Sequence, residues 1–181
     1  MKRIICIISL VYFISLSAMA EEIAPKDSSN LKTIEYPSSL KDLIHQFKGK
    51  VIYFDVMASW CKPCIAELQQ SKYLDSFFEE NNVITIYVTI DQKQDIDKCI
   101  SLLNKYDAKG YLVPHAAPAD VVTTFPSDIE KLFLRNEKGD ISISIPKYAI
   151  VDKEGNIVVK RAKRPSHKDA LIEQLKEWTD K

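Results

Sequence analysis

The chain has 181 residues, of which 46% are apolar and 28% are charged. Its 25 basic and 25 acidic residues give a formal net charge of zero, so composition offers no argument for a nucleic acid or another polyanion as partner. This length and apolar content suffice for one domain with a hydrophobic core, and no second domain is required.

The first twenty residues have the pattern of a secretory signal peptide. Lys2-Arg3 precede an apolar run over residues 4–17, and the small-residue cleavage site Ala18-Met19-Ala20 follows. We expect cleavage after Ala20, loss of Cys6 with the peptide, and a periplasmic or otherwise extracytoplasmic protein. An uncleaved N-terminal membrane anchor is the alternative, but the apolar run is shorter than the ~20 residues of a spanning helix.

Residues 21–37 are polar and predict a linker with a short edge strand over residues 31–36, and residues 38–181 then form one domain. Ser38 or Ser39 can cap a short helix, and Gly49 can end it. The apolar face of this helix consists of Leu40, Leu43, Ile44 and Phe47.

Residues 51–57 are mostly β-branched and aromatic, which predicts a strand buried on both faces, as in a parallel sheet. Asp55 is the only charged residue in this run. Apolar residues at helical spacing follow, so Cys61 and Cys64 stand where a strand is succeeded by a helix. The free N–H groups and the positive dipole end of a helix N-terminus favour a thiolate there, and Pro63 suits the first turn.

Two cysteines at this spacing can form a redox disulfide or half of a metal site. A structural zinc needs two further ligands, and no remaining candidates are paired at ligand spacing. These candidates are Cys99, His45, His115 and His167. We therefore expect redox chemistry with no metal and no cofactor. Three cysteines remain after loss of residues 1–20, an odd number that favours one reactive pair plus one unpaired thiol over a framework of disulfides.

The next elements are a second buried strand over residues 83–90 and a helix over residues 95–106. The helical spacing places Cys99 on the apolar side of that helix. Cys99 is interpreted as a core residue, because free cysteine packs as a small hydrophobe; a third redox thiol is the alternative.

Residues 107–145 are the least regular part of the chain. Pro114, Pro118 and Pro126 exclude long regular elements from the first half of this stretch. Ser127 and Glu130 then have the spacing of a capping box that opens a short helix. The stretch either encodes the choice of partner or covers an edge of the sheet.

Residues 147–151 and 157–162 predict a hairpin, and Ser166 with Asp169 predicts the capping box of a last helix. Residues 160–164 form a basic cluster. Most such clusters are solvated strand ends, and we interpret this one in the same way; docking of an acidic partner or anionic lipid is the alternative. This order of elements predicts an α/β fold with a central mixed sheet flanked by helices.

The segment Ala58-Ser59-Trp60-Cys61-Lys62-Pro63-Cys64, with Phe54-Asp55 before it, resembles the thioredoxin active site. The added Glu67 is similar to the TlpA/ResA-type extracytoplasmic thiol-disulfide oxidoreductases, and Ile90-Asp91 and Ile145-Pro146 follow in that family's order. The resemblance spans roughly residues 50–178. It implies the thioredoxin fold, an insertion before the Pro146 segment, and a cis Ile145–Pro146 peptide bond beside the cysteines.

The chemistry of these residues assigns their roles. Cys61, first on the helix, is the accessible nucleophile, and Cys64, one turn deeper, is the thiol that resolves a mixed disulfide. Asp55, a carboxylate in an apolar strand, is the candidate base for Cys64, with a hydrogen-bonded structural aspartate as the alternative. By resemblance, the expected substrate contacts are Trp60, Ile145 and Pro146. The chain departs from the family pattern at Tyr87, Met57 and Gln69, where lysine, tryptophan and a helix-kinking proline are usual.

We therefore predict a thiol-disulfide oxidoreductase that reduces protein disulfides, with a thiol oxidase or isomerase on the same fold as the alternative. Its partners would be protein thiols or disulfides and a membrane or extracytoplasmic electron donor, and we expect a monomer that binds no nucleic acid. A peroxidase of the peroxiredoxin type would need a threonine at the position of Ala58. A copper-delivery protein would need a wider cysteine spacing and a paired histidine. A non-catalytic binding domain would have little reason to keep Cys61, Cys64, Asp55 and Pro146.

Overall fold

The computed structural model describes residues 30–136 and 138–181. The predicted signal peptide and residues 21–29 of the predicted linker lie outside the described residues. The strands are β1 (Leu31–Thr33), β2 (Val51–Met57), β3 (Val83–Thr89), β4 (Gly110–Pro114), β5 (Lys147–Val151) and β6 (Ile157–Val159). The helices are α1 (Leu40–His45), α2 (Lys62–Ser71), α3 (Asp75–Glu80), α4 (Ile96–Lys105), α5 (Phe125–Ile129) and α6 (Lys168–Thr179). None of these helices is long and apolar enough to span a membrane.

The described strands form one mixed sheet in the order β1-β4-β3-β2-β5-β6. The first four run parallel to their neighbours, whereas β5 pairs antiparallel with β2 and β6 antiparallel with β5. Every residue of β2 is buried, as its composition predicts, because helices cover both faces of the sheet.

The side chains of β2 alternate between two cores. Ile52, Phe54 and Val56 belong to a core shared with α1 and α5. Tyr53 and Met57 point to the opposite face, where residues of α2, α4 and α6 pack. Because side chains alternate along a strand, Asp55 lies on this second face, between Tyr53 and Met57.

Several locally encoded elements are confirmed. Ser39 caps α1, its hydroxyl accepting the Asp42 N–H at 3.0 Å. The predicted edge strand is β1, although it covers only Leu31–Thr33. The helix predicted after Cys61 runs as α2 and α3, joined by a 3₁₀ turn over residues 72–74.

The region predicted to be irregular contains a strand, β4. Gly110 begins it with a φ of 130°, and a Cβ at this position would lie 2.2 Å from the Thr85 carbonyl oxygen, so only glycine fits. Pro114 ends the strand, where its missing N–H costs little. The strand exists because β3 and β1 pair with it on both sides, which the local sequence does not reveal.

Helix α5 begins at Phe125 rather than at the predicted Ser127 cap. Thr124 is the N-cap residue, and Pro126 lies in the first turn, where its fixed φ is compatible with the helix. A π-helical turn, Glu130–Leu134, continues the element. The capping-box prediction at Ser127 is therefore wrong.

The predicted hairpin forms, but β6 ends at Val159 rather than at residue 162. The Ala162 N–H still donates to the Tyr148 carbonyl at 3.0 Å, so the chain returns to β5 after two residues outside the ladder.

Helix α6 begins at Lys168, after a 3₁₀ turn over residues 165–167. The predicted cap at Ser166 is wrong, because its N–H and its hydroxyl both donate to the Glu67 carboxylate at 2.9 Å. Ser166 thus ties the last helix to α2 instead of capping it.

Candidate active site

Cys61 and Cys64 form a disulfide at the N-terminus of α2. Cys61 is the N-cap residue of this helix, and its sulfur accepts the Cys64 N–H at 3.2 Å. Both residues are buried, with Cys61 4% and Cys64 2% exposed. In this oxidised state, the predicted difference in solvent accessibility between Cys61 and Cys64 is therefore small.

The Ile145–Pro146 peptide bond is cis, as the resemblance implies. The Ile145 carbonyl oxygen lies 3.8 Å from the Cys61 sulfur, and the Ile145 side chain packs against the core cluster that contains both cysteines. Trp60, immediately before Cys61, is 59% exposed. The structure thus brings Ile145 against the disulfide and presents a large apolar side chain beside it.

Two further exposed apolar residues, Ile141 and Ile143, precede the cis peptide bond. Sequence reasoning did not single them out, although the alternation Ile141-Ser-Ile-Ser-Ile145 is a signal of an extended segment with one apolar edge. Trp60, Ile141 and Ile143 are thus exposed apolar side chains in the segments that lead to Cys61 and to the cis peptide bond.

Asp91 holds the loop before Cys61 in place. Its buried carboxylate accepts the Ser59 N–H at 2.8 Å, the Ser59 hydroxyl at 2.8 Å and the Thr89 hydroxyl at 2.6 Å. The loop then turns through a hydrogen bond from the Cys61 N–H to the Ala58 carbonyl at 3.1 Å. The resemblance includes Asp91, but the role of this carboxylate as an anchor emerges only from the three-dimensional contacts.

We expect Asp91→Asn to lower the free energy of unfolding by about 2 kcal/mol, because an amide NH₂ then faces donors that need an acceptor. Thiol-disulfide exchange should slow several-fold as the loop before Cys61 loosens. Urea unfolding and an exchange assay measure the two effects, and Asp97→Asn, at an exposed position of α4, is the control. Equal stability of the two variants would show that Asp91 does not anchor the loop.

Asp55 is a carboxyl group buried in an apolar strand, 4% exposed, with no hydrogen-bond partner for Oδ1 among the described residues. Burial raises the pKa of Asp55 from 3.8 to about 8, and the negative charge of Glu67 adds to the rise. The lack of a partner for Oδ1 argues against the structural alternative, in which hydrogen bonds would hold the carboxylate.

Tyrosines flank Asp55 on both neighbouring strands, since Asp55 is paired in register with Tyr87 on β3 and with Tyr148 on β5. Burial raises the pKa of both hydroxyls well above the usual tyrosine value, and the charge of Asp55 raises it further. The Tyr148 hydroxyl has no hydrogen-bond partner among the described residues. Tyr87 carries no positive charge, so it does not oppose the rise in the Asp55 pKa.

Cys99 is fully buried in α4, as predicted for a core residue. Burial raises the pKa of its thiol to about 12, so this cysteine stays protonated at neutral pH. Within residues 30–136 and 138–181, no group of three or more His, Cys, Asp and Glu side chains could hold a metal ion.

The chain resembles known redox proteins along most of its length. The Redoxin family model matches residues 20–175. The thiol-disulfide oxidoreductase ResA of Bacillus thuringiensis subsp. konkukian is 27% identical over 141 residues, which cover 75% of this chain and 68% of ResA.

Solved structures share the architecture. The thioredoxin domain of a thiol-disulfide oxidoreductase from Bacteroides vulgatus has a TM-score of 0.55 at 16% identity, over 75% of this chain and 83% of that one. A thiol:disulfide interchange protein from Bacteroides sp. has a TM-score of 0.50 at 18% identity, over 75% of this chain and 77% of that one. These likenesses confirm the predicted thioredoxin fold.

Proposed function

Because the chain belongs to the Redoxin family, we propose that it is a thiol-disulfide oxidoreductase that reduces protein disulfides outside the cytoplasm. The observation that carries this proposal is the Cys61–Cys64 disulfide at the start of α2, with the Ile145 carbonyl 3.8 Å from the Cys61 sulfur. The similarity to ResA, a thiol-disulfide oxidoreductase by name, supports the same reaction class.

Cys61 carries out the first step. In the reduced enzyme the Cys61 thiolate gains the Cys64 N–H and the positive end of the α2 dipole, and Lys62 adds a nearby positive charge. The thiolate attacks one sulfur of the substrate disulfide, whose S–S bond breaks as the mixed disulfide forms. The other substrate sulfur leaves as a thiolate and takes a proton.

Cys64 completes the reduction. Its thiol must lose a proton inside the protein before its sulfur attacks Cys61 and releases the second substrate thiol. Asp55 is the proton acceptor in its ionised form, and with a pKa of about 8 the ionised fraction grows as pH rises toward 8. Its side chain lies on the face of β2 toward α2, because side chains alternate along the strand. The enzyme leaves this cycle as the Cys61–Cys64 disulfide and recovers two electrons from an extracytoplasmic or membrane-bound dithiol donor.

Substrate polypeptide binds in an extended conformation along the segment before Pro146. The backbone of Ile145 is available for hydrogen bonds to such a chain, which places a substrate cysteine beside the Cys61 sulfur. Trp60, next to Cys61 in the chain, contributes exposed apolar contact area. The extracytoplasmic location rests on the signal-peptide pattern of residues 1–20.

The direction of electron flow is set by the reduction potential of the Cys61–Cys64 couple. The Cys64 N–H, the helix dipole and Lys62 stabilise the Cys61 thiolate, whereas Ile145 offers no polar side chain. These effects are small and opposed, so the resemblance to the TlpA/ResA group decides the expectation: a potential near −270 mV rather than the roughly −120 mV of a strong oxidant. Equilibration with dithiothreitol buffers, followed by alkylation and mass measurement, gives the value. A potential close to the oxidant end would favour the oxidase alternative while leaving the roles of the two cysteines intact.

A further inference from the structure

A basic cavity opens at the cis-proline segment. It has a volume of about 330 Å³, and Pro146 is among the residues that line it. Five of the lining residues are cationic: Arg135, Lys147, Lys160, Arg161 and Arg164. We call this the basic cavity. It brings together three of the four cations of the predicted basic cluster and two cations from elsewhere in the chain.

The positive charge of the basic cavity is only partly balanced. Arg164 lies 3.4 Å from Glu67, and Arg135 lies 3.8 Å from Glu130. Lys147 donates to the carbonyl oxygen of Phe133, which carries no net charge.

Lys160 and Arg161 have no acidic partner among the described residues, and both are exposed. They occupy the two positions where the chain leaves the ladder between the end of β6 and the Ala162–Tyr148 hydrogen bond. Burial lowers the pKa of Lys147, and the positive charge of Arg161 lowers it further, which is the effect of like charges held close together. An anionic group in the cavity would relieve this repulsion.

We propose that the basic cavity binds carboxylate side chains of the protein substrate, so that the enzyme prefers disulfides next to acidic segments. This proposal rests on the proposed function and adds a substrate class to it. The Ile145 carbonyl oxygen lies 3.8 Å from the Cys61 sulfur, and the next residue, Pro146, lines the cavity. At about 3.3 Å per residue, an extended substrate with its cysteine at Cys61 reaches the cavity within a few residues. Arginine binds carboxylates through two parallel hydrogen bonds, which suits this occupant.

The test uses two disulfide-linked peptides that differ only in their flanks, three glutamates in one and three glutamines in the other. With wild-type enzyme we expect kcat/KM to be about tenfold higher for the acidic peptide at low salt, with the preference reduced at high salt by screening. The double variant Lys160→Gln/Arg161→Gln should bring the preference down to about twofold and leave the rate with the neutral peptide unchanged. Lys163→Gln is the matched control, because Lys163 is exposed and cationic but does not line the cavity.

A second measurement separates binding from turnover. The acidic peptide with its cysteines replaced by alanine should bind wild-type enzyme and Lys163→Gln equally, and the double variant several-fold more weakly, by titration calorimetry. Any binding to vesicles that contain about 30% phosphatidylserine should be the same for the wild-type enzyme and for the double variant.

Several results would overturn the proposal. Equal kcat/KM for the two peptides, or an equal loss of preference in Lys163→Gln, would refute a specific site while the proposed function stands. Vesicle binding that the double variant abolishes would make the cavity a lipid site. Failure of wild-type enzyme to reduce either peptide would instead refute the proposed function, and the substrate preference with it.

Discussion

Cys61→Ser abolishes reduction of protein disulfides, by at least roughly a thousandfold, because the attacking sulfur is removed and a hydroxyl cannot form the mixed disulfide. The assay charges the enzyme with dithiothreitol, removes the reductant and follows the release of substrate thiols. Cys99→Ala is the matched control: it removes a thiol that is buried in α4 and protonated at neutral pH, so exchange should continue at the wild-type rate.

Cys64→Ser has a different outcome, since Cys61 can still attack but its mixed disulfide cannot be resolved from within. Covalent complexes with substrate proteins should accumulate and be released by added dithiothreitol. Cys61→Ser should trap few such complexes under the same conditions. If Cys64→Ser forms no adduct with any disulfide substrate, the assignment of Cys61 as the nucleophile is wrong.

Asp55→Asn stabilises the protein, on the order of 4 kcal/mol near pH 7. The wild-type carboxyl group has a pKa raised from 3.8 to about 8 by burial and by Glu67, so folding is penalised wherever the unfolded chain would ionise it. The neutral amide has nearly the same shape and carries no such penalty. Urea unfolding at several pH values measures the difference.

The sign of the pH dependence follows from the two pKa values. Below about pH 4 the group is protonated in both states, and the wild type and Asp55→Asn should be equally stable. Between about pH 4 and pH 8 the unfolded state loses its proton while the folded state keeps it, so wild-type stability falls as pH rises. Asp55→Asn should lack this decline, and above about pH 8 the gap between the two proteins should stay constant.

The same variant should slow the release of mixed disulfides about tenfold or more, because Cys64 loses its proton acceptor. Stopped-flow measurement of release against pH should show a rise toward pH 8 in the wild type that is missing in Asp55→Asn. Asp91→Asn is an informative comparison. It makes the same chemical change at a carboxylate that accepts three hydrogen bonds, so it should destabilise the protein. If Asp55→Asn is more stable but releases mixed disulfides at the wild-type rate, Asp55 destabilises the fold and has no role in proton transfer.

Local sequence determined the elements whose signals lie within a few residues. The apolar run of β2, the Ser39 cap of α1 and the cysteines at the start of α2 all follow from periodicity, capping and helix-terminus chemistry. Burial of Asp55 follows in the same way, because a single carboxylate in an otherwise apolar strand has no exposed face to occupy. Cys99 in the core follows from the spacing of α4.

Only the tertiary structure decided the features that depend on distant segments. β4 is a strand because β3 and β1 pair with it. Ser166 donates hydrogen bonds to Glu67, 99 residues away, instead of capping α6. The basic cavity likewise joins the turn after β6 to Arg135 and to Lys147 at the start of β5. The physical reason is the same in each case: a hydrogen-bonding edge or a charge takes its partner from whichever segment the fold brings near, and spacing along the chain does not encode that neighbour.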